Sequence, residues 1–238
     1  MDGQLKKIFE KTAELNSWGD NDSLSGPGSN LIQTAIIRKE IPAILKKYQV
    51  TKMLDAPCGD FFWMRLIREE LFGILKSYLG GDIVPQLIRK NNELYGNDIF
   101  SFIEFDITKD TLPEVDLIFT RDCFIHLSFV NIYKALKNYK NSGATYLLVS
   151  TYTKKRRNKD VPNVFINGRA INLQTFPFYF PKPLELINEE CTEGNNEYAD
   201  KSLALWKLKD INLNLLGSIL FIKRIKQFLQ RKINGCFL

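Results

Sequence analysis

Met53-Leu54-Asp55-Ala56-Pro57-Cys58-Gly59-Asp60-Phe61-Phe62-Trp63-Met64 reads as an apolar strand that ends in an acid, turns tightly through Pro-Cys-Gly and enters a helix after a second acid. Strand, tight turn and helix open a βαβ unit. In a doubly wound sheet, ligands bind beyond the carboxyl ends of the strands, which is where this turn lies. Gly59 lets the main chain come close to a ligand, because a Cβ there would collide with it. The turn lacks the three glycines of G-x-G-x-x-G, so it serves a pyrophosphate poorly and disfavours a dinucleotide.

C-terminal to this turn, short apolar runs alternate with helical stretches, the pattern of a mainly parallel sheet. Strands are expected at Lys52–Asp55, Tyr78–Gly81, Phe102–Phe105, Asp116–Thr120 and Thr145–Thr151, with helices at Phe62–Leu75, Pro85–Tyr95 and Phe129–Lys140. A charged loop, Lys154–Asp160, and an irregular stretch, Asn163–Pro183, lead to two further strand-like runs, Leu184–Asn188 and Ser202–Leu208, separated by CTEGNNEYAD. Towards the N-terminus, Leu5, Ile8, Phe9 and Ala13 recur at helical spacing. The loop Asn16–Asn30 follows, and Ser29 or Asn30 is expected to cap a helix over residues 31–48, with Pro42 as a kink or break.

A length of 238 residues with 45% hydrophobic side chains fits one domain with a sizeable core. It divides into N-terminal helices and a loop (1–50), a core (51–152), a loop and terminal hairpin (153–214) and a basic amphipathic tail (215–238). The net charge of +6 permits an anionic partner without demanding one. Four cysteines without a C-x-x-C pair, and a single His, leave little to complete a zinc site or a disulfide framework. No metal ligand is assigned, Asp122, His126 and Asp60 lacking the tight carboxylate cluster that Mg²⁺ favours, and use of a divalent metal is left open. The start has no apolar core of a signal peptide, and no apolar run is long enough to span a membrane, so a reduced, cytoplasmic protein is expected.

Three more strand ends carry chemistry. Asp82 follows the second strand, where an acid can accept both hydroxyls of a ribose. Asp106 follows the third, where it can accept an exocyclic amine. The run VDLIFTRDCFIHLS delivers Arg121, Asp122, Cys123 and His126 to the same edge. Asp82 and Asp106 also fit plain helix N-caps, and Gly59 an ordinary turn glycine.

Taken in order, these motifs resemble the class I S-adenosylmethionine-dependent methyltransferases over Thr51–Tyr152, and the terminal hairpin extends the match. The resemblance implies an α/β, Rossmann-like, doubly wound sheet of seven strands, mainly parallel, with a C-terminal antiparallel hairpin and an N-terminal helical cap. It implies S-adenosylmethionine as cofactor and S-adenosylhomocysteine as product. Asp55, Ala56 and Gly59 would line the methionine end, Asp82 with Ile83 the ribose, and Asp106 with Ile107 the adenine. The departure is Asp-Ala-Pro-Cys-Gly-Asp in place of the commoner glycine-rich turn.

On the acceptor side, Asp122 and His126 stand four apart and would share a face near the methyl donor if a helical turn follows the strand. His126 is the one side chain whose ordinary pKa suits proton removal near neutrality, with Asp122 as its acid-base partner; a structural histidine is the alternative. Arg121 either lines the cofactor site, binds an anionic acceptor, or pairs with Asp122 or Glu114. The loop around Ser23–Ser29, with Trp18 before it, has the composition of a lid. Trp18, Gly26–Ser29, Arg38 and DAPCGDFFWM further resemble a bacterial subgroup acting on surface-polysaccharide (capsular) sugars or related small polar molecules. Arg169 and Asn172, beside the PFYFP aromatics, are candidate contacts to a carbohydrate or phosphorylated acceptor, and KKRRNK (154–159) a candidate phosphate contact. A nucleic-acid methyltransferase is disfavoured, since Arg121-Asp122-Cys123-Phe124 stands where an Asn/Asp-Pro-Pro-aromatic motif belongs. A cofactor-binding subunit without catalysis is the other rival. Leu220, Ile222, Ile225 and Phe228, interleaved with Lys223, Arg224, Lys226, Arg231 and Lys232, make an amphipathic basic tail that is expected to pack on the body, with an anionic membrane or a docked partner as the alternatives. The acceptor's identity and the oligomeric state are not legible.

Overall fold

Lys52–Asp55 (β1), Ser77–Asp82 (β2), Phe100–Glu104 (β3), Leu117–Thr120 (β4), Tyr146–Tyr152 (β5), Glu185–Asn188 (β6) and Lys201–Lys207 (β7) form one sheet in the order β3-β2-β1-β4-β5-β7-β6. The protein is a computed structural model that describes residues 3–154, 157–161 and 164–235, with side chains omitted at 224 and 227–235. The first five strands are parallel, and β7 runs antiparallel to both β5 and β6. The expected seven-stranded sheet with its closing hairpin is present, and strand ends differ from the sequence reading by one or two residues.

Strands β1, β4, β5 and β7 are almost wholly buried, as a sheet covered on both faces requires. Alternation sorts their side chains into two cores. Leu54, Ile118, Leu147, Ala204 and Trp206 face the helices Phe129–Asn141 (α5) and Asn214–Gly235 (α6), whereas Met53, Leu117, Leu148 and Leu205 face Ala35–Lys47 (α2). Gln4–Glu14 (α1) lays Leu5 and Phe9 against the first core.

Two helix expectations need correction. The helix expected over Phe62–Leu75 is a short 3₁₀ turn, Met64–Ile67, followed by Arg68–Phe72 (α3). Phe61 stands at φ +57 with its ring among Tyr78, Tyr95, Phe100 and Phe102, so the chain spends its first residues after Asp60 turning that ring inward. The helix over 31–48 begins only at Ala35, because Asn30 Oδ1 first closes a separate turn onto the amides of Ile32 and Gln33. It runs through Pro42 without ending, held by buried Ile37, Ile41, Ile44 and Leu45. Pro85–Tyr95 (α4) has the expected bounds. Lys155 and Arg156 of the basic run, and Cys236, lie outside the described residues, as do the side chains of Arg224, Phe228, Arg231 and Lys232.

Strand order reverses between β1 and β4, so a crevice opens beyond their carboxyl ends. The antiparallel β7 brings its first residue, Lys201, opposite Tyr152 at the end of β5, which sets the hairpin's charged residues on the same edge.

Candidate functional site

A cavity of about 150 Å³ lies at that edge. Asp55, Gly59, Asp82, Ile83, Asp106 and Ile107 line one end of it, and Arg121, Asp122, His126, Trp18 and Ser29 the other. Small-ligand clefts usually measure about 300–1,000 Å³. This one is smaller because α1 and the loop 16–30 lie across it, contributing Phe9, Leu24 and Ser25 to its wall.

The acids at the first end are buried and unlike exposed carboxylates. Burial raises the Asp55 pKa to about 8, with the neighbouring Asp82 adding to the rise and a hydrogen bond from the Tyr78 hydroxyl opposing it. Burial also raises Asp82, to about 6, against the amides of Val84 (2.9 Å) and Gly59 (3.0 Å), which donate to its two oxygens. Asp106 accepts from the Thr108 amide (2.9 Å) and hydroxyl (2.6 Å). Neither acid caps a helix: α4 begins after Val84 without a side-chain cap, Asp82 closing only a turn onto Val84 N, and no helix follows Asp106. Neither carboxylate is used up, since each offers about four lone-pair sites. Gly59 has φ +56, and a Cβ there would sit 2.1 Å from Ser25 Oγ. The main chain at this turn is approached as closely as its glycine allows.

Ala56 does not join this group. It is buried under the strand ends, its amide on Phe119 O and its carbonyl accepting from Thr120 Oγ1.

At the other end the structure separates Asp122 from His126. Asp122 stands at φ +50 and meets Lys201 Nζ at 2.5 Å and Arg121 Nη1 at 3.4 Å. Burial pushes its pKa up, but these two cations outweigh it and hold the carboxyl below the usual range. His126, in the 3₁₀ turn Phe124–His126, has Nδ1 2.9 Å from Phe165 O. A carbonyl only accepts, so Nδ1 carries the proton and Nε2 the lone pair. Burial lowers the imidazole pKa, and the Phe165 bond and Asp122 charge oppose this. The ring is packed by Trp18 (5.6 Å between centroids) and Phe9 (6.3 Å). His126 is therefore oriented by a backbone carbonyl, and Asp122 acts on it through charge.

Arg121 is not free to clamp an anion. Its Nη2 and Nε donate to Glu189 Oε2 at 2.6 and 3.1 Å, and it lies over the Trp63 ring. Glu114, the other expected partner, pairs with Lys52. Arg169 is away from the cavity wall: its guanidinium donates to the carbonyls of Ile125, Leu127 and Lys159. It thereby holds the turn that carries His126. Asn172 binds the carbonyls of Thr153 and Lys154 and accepts from Gln174 N, and Arg38 Nη2 donates to Leu31 O. Neither reaches the cavity. Among the described residues, no group of three His, Cys, Asp or Glu is placed to hold a metal ion.

Glu189, Lys201 and Glu193 were missed by sequence reasoning, and so was the part that Asp60 plays in holding the loop. The first three complete a buried charge cluster around Arg121 and Asp122. An antiparallel pair after five parallel strands must turn at the carboxyl edge, which was a usable signal for Glu189 and Lys201. Asp60 fastens the loop: Ser23 Oγ (2.9 Å), Leu24 N (2.8 Å) and Ser25 Oγ (3.3 Å) all donate to it. Trp18 Nε1 donates to Ile166 O at 2.9 Å, pinning the other end. Replacing Asp60 with Ala should release the loop. Hydrogen bonds to a charged group contribute about 1.5–3 kcal/mol each, so amide exchange at 23–28 should accelerate at least about tenfold. Unchanged exchange there, in a protein of unchanged thermal stability, would rule out Asp60 as the latch.

No family model and no curated protein matches the chain. Among solved structures it is similar to the N-methyltransferase NodS from Bradyrhizobium japonicum WM9 in complex with S-adenosyl-L-homocysteine, with a TM-score of 0.54 at 17% identity over 84% of this chain and 97% of that one. It is also similar to an S-adenosylmethionine-dependent methyltransferase from Clostridium acetobutylicum ATCC 824, with a TM-score of 0.51 at 12% identity over 71% of this chain and 89% of that one. At such identities the likeness is one of fold, and the fold is the Rossmann-like methyltransferase sheet.

Proposed function

We propose that this chain is an S-adenosylmethionine-dependent methyltransferase that methylates a hydroxyl of a small polar acceptor, such as a sugar. The observation that carries the proposal is the set Asp55, Gly59, Asp82 and Asp106, on the ends of successive strands and all on the wall of one cavity. The two similar structures support the donor class, NodS having been crystallised with S-adenosyl-L-homocysteine.

The residues fit the donor. The glycine turn admits a close approach, Asp82 offers its free lone pairs to the ribose hydroxyls, and Asp106 with Ile107 receives the adenine. When bound, the donor supplies an electrophilic methyl group. This chain's part is to align the acceptor, exclude water beneath the loop and take the acceptor's proton on His126 Nε2. Both arginines named as anion clamps are committed to other partners, which favours an uncharged hydroxyl over a phosphate as the methylated group. The acceptor's class and the roles of Trp18 and Ser29 against it belong to this proposal.

Calorimetry with S-adenosylhomocysteine tests the donor site. Asp82→Asn should weaken binding by about 1.5–3 kcal/mol, the loss of one charge-assisted hydrogen bond. The pH dependence carries a second test. Without a ligand, Asp55 holds a proton below about pH 8 and Asp82 below about pH 6. An ammonium and ribose hydroxyls beside them favour the ionised forms, so binding releases protons. Affinity should rise with pH by up to about tenfold per unit for each proton released. Affinity that ignores both pH and Asp82→Asn would refute the site. Tighter binding of NADH would replace it with another.

A further inference from the structure

The helix α6 lies antiparallel along α5 and then outruns it. Near its start, Lys140 at the C-terminal end of α5 donates to Ile211 O at 2.6 Å. Midway, a Cβ on Gly217 would stand 3.0 Å from the Tyr133 hydroxyl. At Lys223 the helix reaches Asp160, whose other oxygen accepts from Phe129 N at the head of α5. The backbone stays helical through Gly235, about 18 Å further at 1.5 Å per residue. The head of α5 follows β4 and so marks the carboxyl edge of the sheet. The backbone of α6 beyond Lys223 therefore runs past the edge at which the cavity lies.

Leu216 and Leu220 serve the body side of this helix. On the other side, among the described residues, Phe221 is 65% exposed, Ile222 53% and Ile225 42%. At 100° per residue these three fall within an arc of about 100°, with exposed Leu215 beside it and Lys226 on its border. The charge is one-sided. After Asp210 the sequence carries five Lys or Arg and no acid, so this segment supplies five of the six net positive charges of the chain. Among the described residues, no helix is long and apolar enough to cross a membrane.

We propose that α6 is a surface anchor that lays its Phe221–Ile225 face into an anionic lipid bilayer. An apolar arc bordered by cations, without a carboxylate, matches the acyl boundary and the negative headgroups together. A water-soluble protein partner would satisfy the apolar arc, but a segment whose charged residues are all cationic favours a dense anionic surface. The proposal does not depend on the reaction assigned to the cavity.

Co-sedimentation of the full chain tests it, using phosphatidylcholine–phosphatidylserine vesicles against pure phosphatidylcholine. The protein should pellet with the first, fall off in high salt and ignore the second. The double variant Phe221→Ser/Ile225→Ser should partition at least about tenfold more weakly, since it removes two large apolar side chains from the arc. Lys226→Glu, which leaves the apolar arc intact, should lose the preference for phosphatidylserine. All three positions are exposed, so unfolding transitions should match the parent. Failure of the parent to bind phosphatidylserine vesicles would overturn the anchor, as would equal binding to both vesicle types. A dimer in sedimentation velocity that the double variant abolishes, without vesicle binding by the parent, would assign the face to a second copy instead.

Discussion

His126→Ala should bind the donor as the parent does and lose about 10² to 10⁴-fold in methyl transfer, the usual contribution of a general base. The geometry behind this expectation is the bond from Nδ1 to Phe165 O, which leaves Nε2 as the proton acceptor. Burial keeps the imidazole neutral to a lower pH than usual, so the parent's rate should hold at neutrality and fall only on the acid side of the ordinary imidazole range. The variant should lack that limb. A fully active His126→Ala enzyme would end the base assignment. Asp122→Asn should also be impaired, through charge and the cluster it belongs to, and its loss should combine with that of His126→Ala less than additively. A nucleic-acid acceptor, if turnover on one were found, would displace the small-molecule reading.

Glu189→Ala should cost about 3–5 kcal/mol of folding stability, the penalty for leaving a buried charge without its partner. The Glu189 side chain is 1% exposed and that of Arg121 4%, so water cannot replace the lost carboxylate. Urea unfolding at neutral pH measures this, and a loss under about 1 kcal/mol would show that Arg121 re-pairs with Asp122 at little cost. The acids of this site have opposite linkage. Asp122, held low, contributes stability that is present above the ordinary carboxylate range and lost as pH falls through its depressed value. Asp55 and Asp82, held high, contribute stability that is present at low pH and lost as pH rises through about 8 and about 6.

Much of this architecture was legible because it rests on short-range patterns. An apolar run closed by Asp, Gly or Thr reveals a strand and its carboxyl end together, which is why Asp55, Asp82 and Asp106 could be placed on one edge before any coordinates. The helix after Asp60 was misread because Phe61 is satisfied by aromatic rings from β2, β3 and α4, contacts distant in sequence. Arg169 and Asn172 lie off the cavity wall for a related reason. In an irregular stretch the backbone has no ladder to satisfy its carbonyls, so polar side chains there are drawn into that task. Nothing local in N-G-R-A-I-N distinguishes a guanidinium that holds the His126 turn from one that faces a ligand.

One loop touches both ends of the cavity. Ser25 stands against Gly59, and Gly28 lies so near Asp122 that a Cβ there would come within 2.9 Å of its carboxylate. Displacing the segment at either end disturbs its seat at the other, so the work of opening is done once for two occupants. With donor and acceptor placed as proposed, the first ligand to enter should raise affinity for the second, and by thermodynamic reciprocity the second should raise affinity for the first by the same factor. The Ser25–Gly28 strip is the element that the two proposed sites would share.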